Sequence, residues 1–456
     1  MSVDVEAGPT RKARSFPLYR TLPGLLRDPL EEVLRIARTA DGEVVRLDLG
    51  ASRPFLVTHP DHVQQVLRRE SDNFLRIGTF WQPLHGLFGD GIMSEGEPWE
   101  RSKRVLQPVF TARNVNSATD RMAEAINDVV ARFDGPAREG RPLPVLPEMS
   151  RIVNETVIRV LFGGKITQTE ADRLIPAMEE VAVNIAYRFL LPFVPHAVPL
   201  PGDRAFRRGV QVMDETLYAL VERFRNHPGE GHDIFTALCQ ARLAEGGDLD
   251  DTWVRDNLLS MFATSTETTT VALSWLWPLL AENPPVEARL REEIDRVVGG
   301  EPVQPSHLDD LVYVRQVIQE LLRLYPVGWI FPRQATRHTV VGGVPIRPGQ
   351  TVLISPFLTH RLPSVWADPL RFDPDRFAPE QARRHHRYAY FPFGGGPHQC
   401  IGRHVFNVEA QLILTAVMSR YRVRVSLPER PDARIGATLR PKVDFTMTLE
   451  PAGDGS

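Results

Sequence analysis

The segment Phe393-Gly394-Gly395-Gly396-Pro397-His398-Gln399-Cys400-Ile401-Gly402 limits this chain more than any other. Consecutive glycines let the backbone approach a large flat object closely. Cys400 follows, just ahead of a stretch in which Ile401, Val405, Val408, Leu412 and Ala416 recur at helical spacing. A thiolate at a helix N-terminus is stabilised by N–H groups that have no partner within the helix. These are the requirements of a haem iron held by a cysteine thiolate. A second reading stands beside it, in which a lone cysteine near an apolar helix is only a small buried residue. A phosphate cradle fits less well, because no Gly-Lys-Ser/Thr follows and Pro397 removes a donor N–H.

With 456 residues, 42% hydrophobic and 24% charged, the composition is that of a globular chain with a large core. The net charge of −3 gives no basic bias toward nucleic acid. The two cysteines, Cys239 and Cys400, lie far apart, which fits a reducing compartment and leaves Cys400 free to act as a ligand. No N-terminal apolar run is long enough for a membrane span or a signal segment, so the expected location is the cytoplasm.

Residues 1–20 read as a flexible leader and 21–456 as one domain. Strand-like alternation occupies 43–49 and 54–58, and a helical pattern follows at 62–67. From about 98 to 300 the pattern is mainly helical. Met149 to Phe162 forms one helix, stopped by Gly163-Gly164. Asp251 to Leu280 is apolar on several sides and so is expected in the core, with Pro278 kinking or ending it. Val314 to Leu324 is helical, short strands follow near 339–341 and 350–354, and the tail from Tyr421 to Leu449 alternates as strands. The expectation is a mainly α protein with a small β region.

Glu320 and Arg323 lie three apart on one helix face, among Val317, Ile318, Leu321 and Leu324. Arg376, in Phe372-Asp373-Pro374-Asp375-Arg376-Phe377, supplies a third charge for a locked network that pins the proline-rich stretch to that helix. The alternative is a surface ion pair worth only a few tenths of a kcal/mol.

Four ordered motifs now stand together: Trp99 with Lys103 four on, Glu267-Thr268-Thr269 in the long helix, Glu320-x-x-Arg323 with Arg376, and the Phe393-to-Gly402 loop. In that order the chain resembles the cytochrome P-450 superfamily of haem-thiolate monooxygenases, from about Pro23 to Leu449. The resemblance implies the single-domain fold of that family, a triangular helical body around a buried haem b. It implies Cys400 as the axial ligand, Phe393 beside the sulfur, and Gly402 at the helix start. It assigns Trp99, Lys103, Arg333 and His398 to the haem propionates, with Arg104 a rival to Lys103. Lysine at 103 replaces the usual arginine and loses its bidentate fork.

Glu267 and Thr268 match the family's acid–alcohol pair for proton delivery. The alternative for Thr268 is a hydroxyl bonded to a carbonyl one turn back. Ser265 replaces a glycine that in the family opens a groove above the haem; the groove is expected to persist with an added hydroxyl. The resemblance places Phe80, Trp81, Leu84, Phe88, Asn184, Tyr187, Phe262, Ala263, Ser265, Trp329, Ile330 and Thr438 along the substrate pocket, where their aromatic density suits a bulky apolar or aromatic natural product. About half of these aromatics are equally well read as ordinary core.

Electrons are expected from NAD(P)H through a ferredoxin and its reductase, docking on a basic patch of Arg101, Arg104, Arg113, Arg403 and His404, unless that patch is a plain solvated face. Neither a nucleic acid nor a membrane is expected as a partner. Two further activities stay open: oxidative ring closure, for example on a peptide–indole substrate, and partner-independent peroxygenase or isomerase chemistry. A non-catalytic haem sensor fits less well, because the acid–alcohol pair is intact.

Overall fold

A computed structural model gives the structure and describes residues 10–50, 52–190, 194, 198–229, 231, 233–245, 250–427 and 432–452. The organising element is the helix Asp251–Glu282, which the Asp250 carboxylate starts by accepting the Trp253 N–H. Its residues Val254, Leu258, Val271, Trp275 and Leu276 are fully buried on different faces, as an all-round apolar pattern requires. Pro278 neither ends nor interrupts it, and the helix runs on to Glu282. Around it pack Ala112–Ala131, Val145–Phe162, Asp203–Asn226, Val312–Leu324 and Arg403–Arg420, sharing one large apolar core. Gly163 closes Val145–Phe162 at φ +56°, a left-handed cap that favours glycine.

The β region is a six-stranded sheet. Arg14–Phe16 runs parallel to Val45–Leu47, which pairs antiparallel with Phe55–Val57. Phe55–Val57 runs parallel to Thr351–Ile354, followed antiparallel by Phe331–Ala335 and then Phe74–Leu75. Within the segment 1–20 expected as a flexible leader, Arg14–Phe16 is thus an edge strand of the sheet. Thr339–Val341 and Val344–Ile346 form a hairpin across Gly342 and Gly343, both at positive φ. In the tail, Tyr421–Ser426 pairs with Thr446–Pro451, and Ala433–Arg434 with Arg440–Pro441. A second core cluster lies on the sheet and takes in Tyr388 and Phe391, so the sheet supports the approach to the cysteine loop.

A buried charge network fixes that approach. Glu320 and Arg323 are both fully buried, with Arg323 Nε 2.6 Å from Glu320 Oε2 and Nη2 2.8 Å from Oε1. The same guanidinium donates to the carbonyls of His360 at 2.7 Å, Pro369 at 2.7 Å and Arg371 at 3.1 Å. Glu320 also accepts the Asp373 N–H at 2.9 Å and faces Arg376 Nε at 3.5 Å. His360 extends the network. Burial holds its imidazole well below the usual range, so it is neutral, with Nδ1 against the Arg323 carbonyl at 3.1 Å and Nε2 accepting the Phe391 N–H at 3.0 Å. The helix is thereby connected to the residues that open the glycine loop.

Candidate active site

Within the loop the Cys400 N–H donates to the Phe393 carbonyl at 2.9 Å, and the Gly394 N–H to Phe391 at 3.0 Å. Gly396 has φ +68°, and a Cβ there would stand 1.7 Å from the Leu67 carbonyl oxygen, so only glycine fits. Phe393 packs against Phe406 with ring centres 5.5 Å apart. Cys400 is surface-accessible although deeply surrounded by protein, the condition of a residue on a cavity wall. Burial pushes its thiol up, while the Gly402 N–H, the Arg403 charge and the Arg403 N–H pull the other way. Cys239 is buried, and that burial pushes its thiol up to about 12, so it offers no thiolate.

Across the loop stands a group of buried cations. Arg333 is 6% exposed, and burial brings it down to about 9, with the Arg76 charge adding to the effect. Burial likewise brings Arg76 down to about 10. No carboxylate among the described residues pairs closely with either: Glu95 approaches Arg76 only to 3.8 Å. Trp99 packs against His398 with ring centres 4.0 Å apart and planes tilted by 43°, and Lys103 lies 4.8 Å from the Trp99 ring while donating to the Pro397 carbonyl at 2.8 Å. Arg104 is exposed. His398 Nε2 is 3.1 Å from Glu95 Oε1. Burial, outweighing that contact, brings His398 down to about 4, so its neutral imidazole donates to the carboxylate.

One donor in this group, Arg76 Nε, is buried without a hydrogen-bond partner, and so is His398 Nδ1, which is an acceptor while Nε2 carries the proton. A buried donor without a partner, and two desolvated guanidiniums that have only Glu95 near them, call for a further anion. Beside an accessible cysteine sulfur and a loop whose Gly395 and Gly396 leave no room for a Cβ, they fit a haem with its two propionates. Cys400 would ligate the iron, and Arg333, Arg76, His398, Trp99 and Lys103 would hold the anionic edge.

On the long helix Thr268 donates to the Thr264 carbonyl at 2.6 Å, and Thr264 to Ser260 at 2.7 Å. Thr268 thus makes the bond one turn back, leaving its oxygen lone pairs to accept. The helix is continuous through Ser265, where the groove was expected. Glu267 turns toward the tail. Its Oε1 accepts from Thr438 Oγ1 at 2.7 Å and Arg440 Nε at 2.8 Å, and its Oε2 from Arg440 Nη2. From the helix Arg403–Arg420, Glu409 is fully buried, and burial pushes its carboxyl up to about 8 against a bond from Thr269.

The residues expected along the substrate pocket divide. Leu84 packs against the helical core, Phe88, Phe262 and Ala263 are buried in it, and Phe80, Ser265 and Ile330 are partly exposed. Trp81 instead joins the cations, 5.6 Å from both Arg76 and Arg333, with its indole N–H on the Pro332 carbonyl. Trp329 is buried among Leu353, Phe357 and Leu358 and donates to the Gly436 carbonyl at 3.0 Å. Thr438 serves the Glu267 clamp. The side chains of Asn184 and Tyr187 lie outside the described residues.

Outside the cysteine loop, Arg403 and His404 line a concave opening of about 630 Å³ together with Arg68 and Arg387. Arg101, Arg104 and Arg113 are not part of its wall. Sequence reasoning missed Arg76, Glu95, His360, Glu409 and Arg440. No local motif marks any of them, and each is identified by a partner distant in the chain.

The family model for Cytochrome P450 matches residues 11–447. The chain is 32% identical to cyclooctatin synthase of Streptomyces melanosporofaciens, over 94% of this chain and 91% of the relative. It is also 32% identical to the cyclooctat-9-en-7-ol 5-monooxygenase of that organism, over 90% and 88%. Pentalenene oxygenase of Streptomyces avermitilis is 29% identical over 90% and 89%. The fold matches the crystal structure of the cytochrome P450DA heme domain with a TM-score of 0.87, at 24% identity and covering 98% and 99% of the two chains.

Proposed function

The chain belongs to the cytochrome P450 family and is a haem b monooxygenase, and from that premise we propose that it oxidises a bulky, largely apolar alkene or alkenol skeleton. The relatives' names carry this reading: pentalenene is an alkene, and cyclooctat-9-en-7-ol an alkenol. The apolar side chains Leu84, Phe88, Phe262 and Ala263 around the long helix are compatible with it. When bound, haem with a thiolate ligand supplies reductive activation of dioxygen. Cys400 donates the thiolate, and the N–H groups of Gly402 and Arg403 temper its charge. Thr268 would offer oxygen lone pairs from the long helix, and Glu267 would bring protons from the tail side. Electrons arrive from a redox partner, which we assign to an acidic ferredoxin docked over Arg68, Arg387, Arg403 and His404.

The first test is a reduced carbon-monoxide difference spectrum, whose thiolate-type band should vanish in Cys400→Ser. Cyclic alkenes and alkenols should then produce substrate-type spectral shifts. Turnover under labelled dioxygen should place label in the product. A cyclised product without label would point to oxidative ring closure instead, and shifts only with charged ligands would overturn the substrate class.

A further inference from the structure

Arg361 is a buried guanidinium outside the haem site, 7% exposed. Its guanidinium carbon lies 3.7 Å from the Phe357 ring centre and 5.6 Å from that of Tyr325. Nη1 donates to the Phe357 carbonyl at 3.2 Å. Among the described residues no carboxylate pairs with it. Burial brings it down to about 9; Tyr325 and Glu320 act against this, and the charges of Arg323 and Arg38 add to it. A buried charge left without a counter-ion is costly, so its environment needs an anion.

Beside Arg361 a surface pocket of about 590 Å³ opens, walled by Arg38, Arg371 and Asp368 with Pro363, Pro369 and Leu370 between them. Arg38 comes from the helix Pro29–Ala40, where it meets the exposed Glu31 at 3.3 Å. Such a pair is weak and screened by salt. Arg371 is exposed. The wall of the pocket thus carries three arginines and one aspartate.

We propose that this pocket binds a phosphate-type oxyanion, either inorganic phosphate or the phosphoryl end of a small monoester. The planar fork of arginine matches phosphate oxygens, and the guanidinium excess matches the charge of a phosphate near neutral pH. The proline and leucine walls leave space for the carbon body of a monoester. Bound there, the anion ties Arg38 to residues 368–371, whose Pro369 and Arg371 carbonyls already receive Arg323. The site therefore acts on the stability of the segment leading to the cysteine loop.

The test uses haem-loaded protein at constant ionic strength, titrated calorimetrically with inorganic phosphate and with phenyl phosphate, and with chloride as the control. One saturable site per chain is expected, with Tm raised by about 2–3 °C at roughly a hundredfold excess over Kd. The double variant Arg38→Ala, Arg371→Ala should bind at least about tenfold more weakly while keeping its carbon-monoxide spectrum and substrate-induced shift. Tighter binding of phenyl phosphate would support a monoester as the source, and equal binding would support free phosphate. No saturable binding of either, or unchanged affinity in the double variant, would overturn the proposal.

Discussion

Replacing Arg323 by methionine tests whether the charge network holds the cysteine loop in place. The substitution keeps bulk but removes both bonds to Glu320 and the donors to His360, Pro369 and Arg371. The Glu320 carboxylate then remains fully buried with only the Asp373 N–H at 2.9 Å and the more distant Arg376 at 3.5 Å. Breaking one partner out of a buried ion pair costs about 3–5 kcal/mol. With about 2.1 cal/mol/K of unfolding entropy per residue, 456 residues lose about 1 °C of Tm for each kcal/mol. The expected drop is therefore about 3–5 °C.

A purely structural loss and an orphaned charge separate in the double variant Glu320→Gln, Arg323→Met. Removing the carboxylate's charge should recover part of the loss, a coupling of about 1–3 kcal/mol. The assay is thermal unfolding of haem-loaded protein, with haem content per chain as a second readout. A single-variant loss under about 1 kcal/mol, or strictly additive losses in the double variant, would refute a buried network and leave an ordinary ion pair.

Arg333→Ala removes a buried cation from the edge we assign to the propionates, so haem transfer to an acceptor protein should speed up about tenfold or more; an unchanged rate would exclude that contact. Arg440→Gln weakens the clamp on Glu267, and peroxide released per electron pair should change while the substrate-induced shift persists. Equal coupling in variant and parent would remove Arg440 from proton supply. Glu409 has its carboxyl raised to about 8 from an ordinary 4.5, so the native state keeps a proton that the unfolded chain releases. Its contribution to stability is full below about pH 4.5 and is lost as pH rises through about 8. Glu409→Gln cannot ionise, so its stability relative to the parent should climb across that window, and parallel denaturation curves would contradict the neutral assignment.

What the sequence made legible follows from the range over which each constraint acts. The cysteine loop could be read because its needs are local: glycine at Gly396, a cysteine and a helix start all fall within a few residues. Glu320 and Arg323 share one helix face, so their pairing was also local. The partners that complete both features are not. His360 joins the two through Phe391, and Arg76 lies more than 300 residues before the loop that it stands across from. Trp81 and Trp329 were less legible for a different reason. A count of aromatics registers apolar area, but each indole also carries an N–H that must be satisfied when buried. That donor draws Trp81 to the Pro332 carbonyl and Trp329 to the Gly436 carbonyl, giving both positions set by hydrogen bonds. Glu267 combines the two cases. Its place beside Thr268 could be read from adjacency, whereas its direction could not, because Arg440 stands 173 residues on. The acid–alcohol pair in the sequence therefore identifies the residues, and the tail hairpin decides where the acid points.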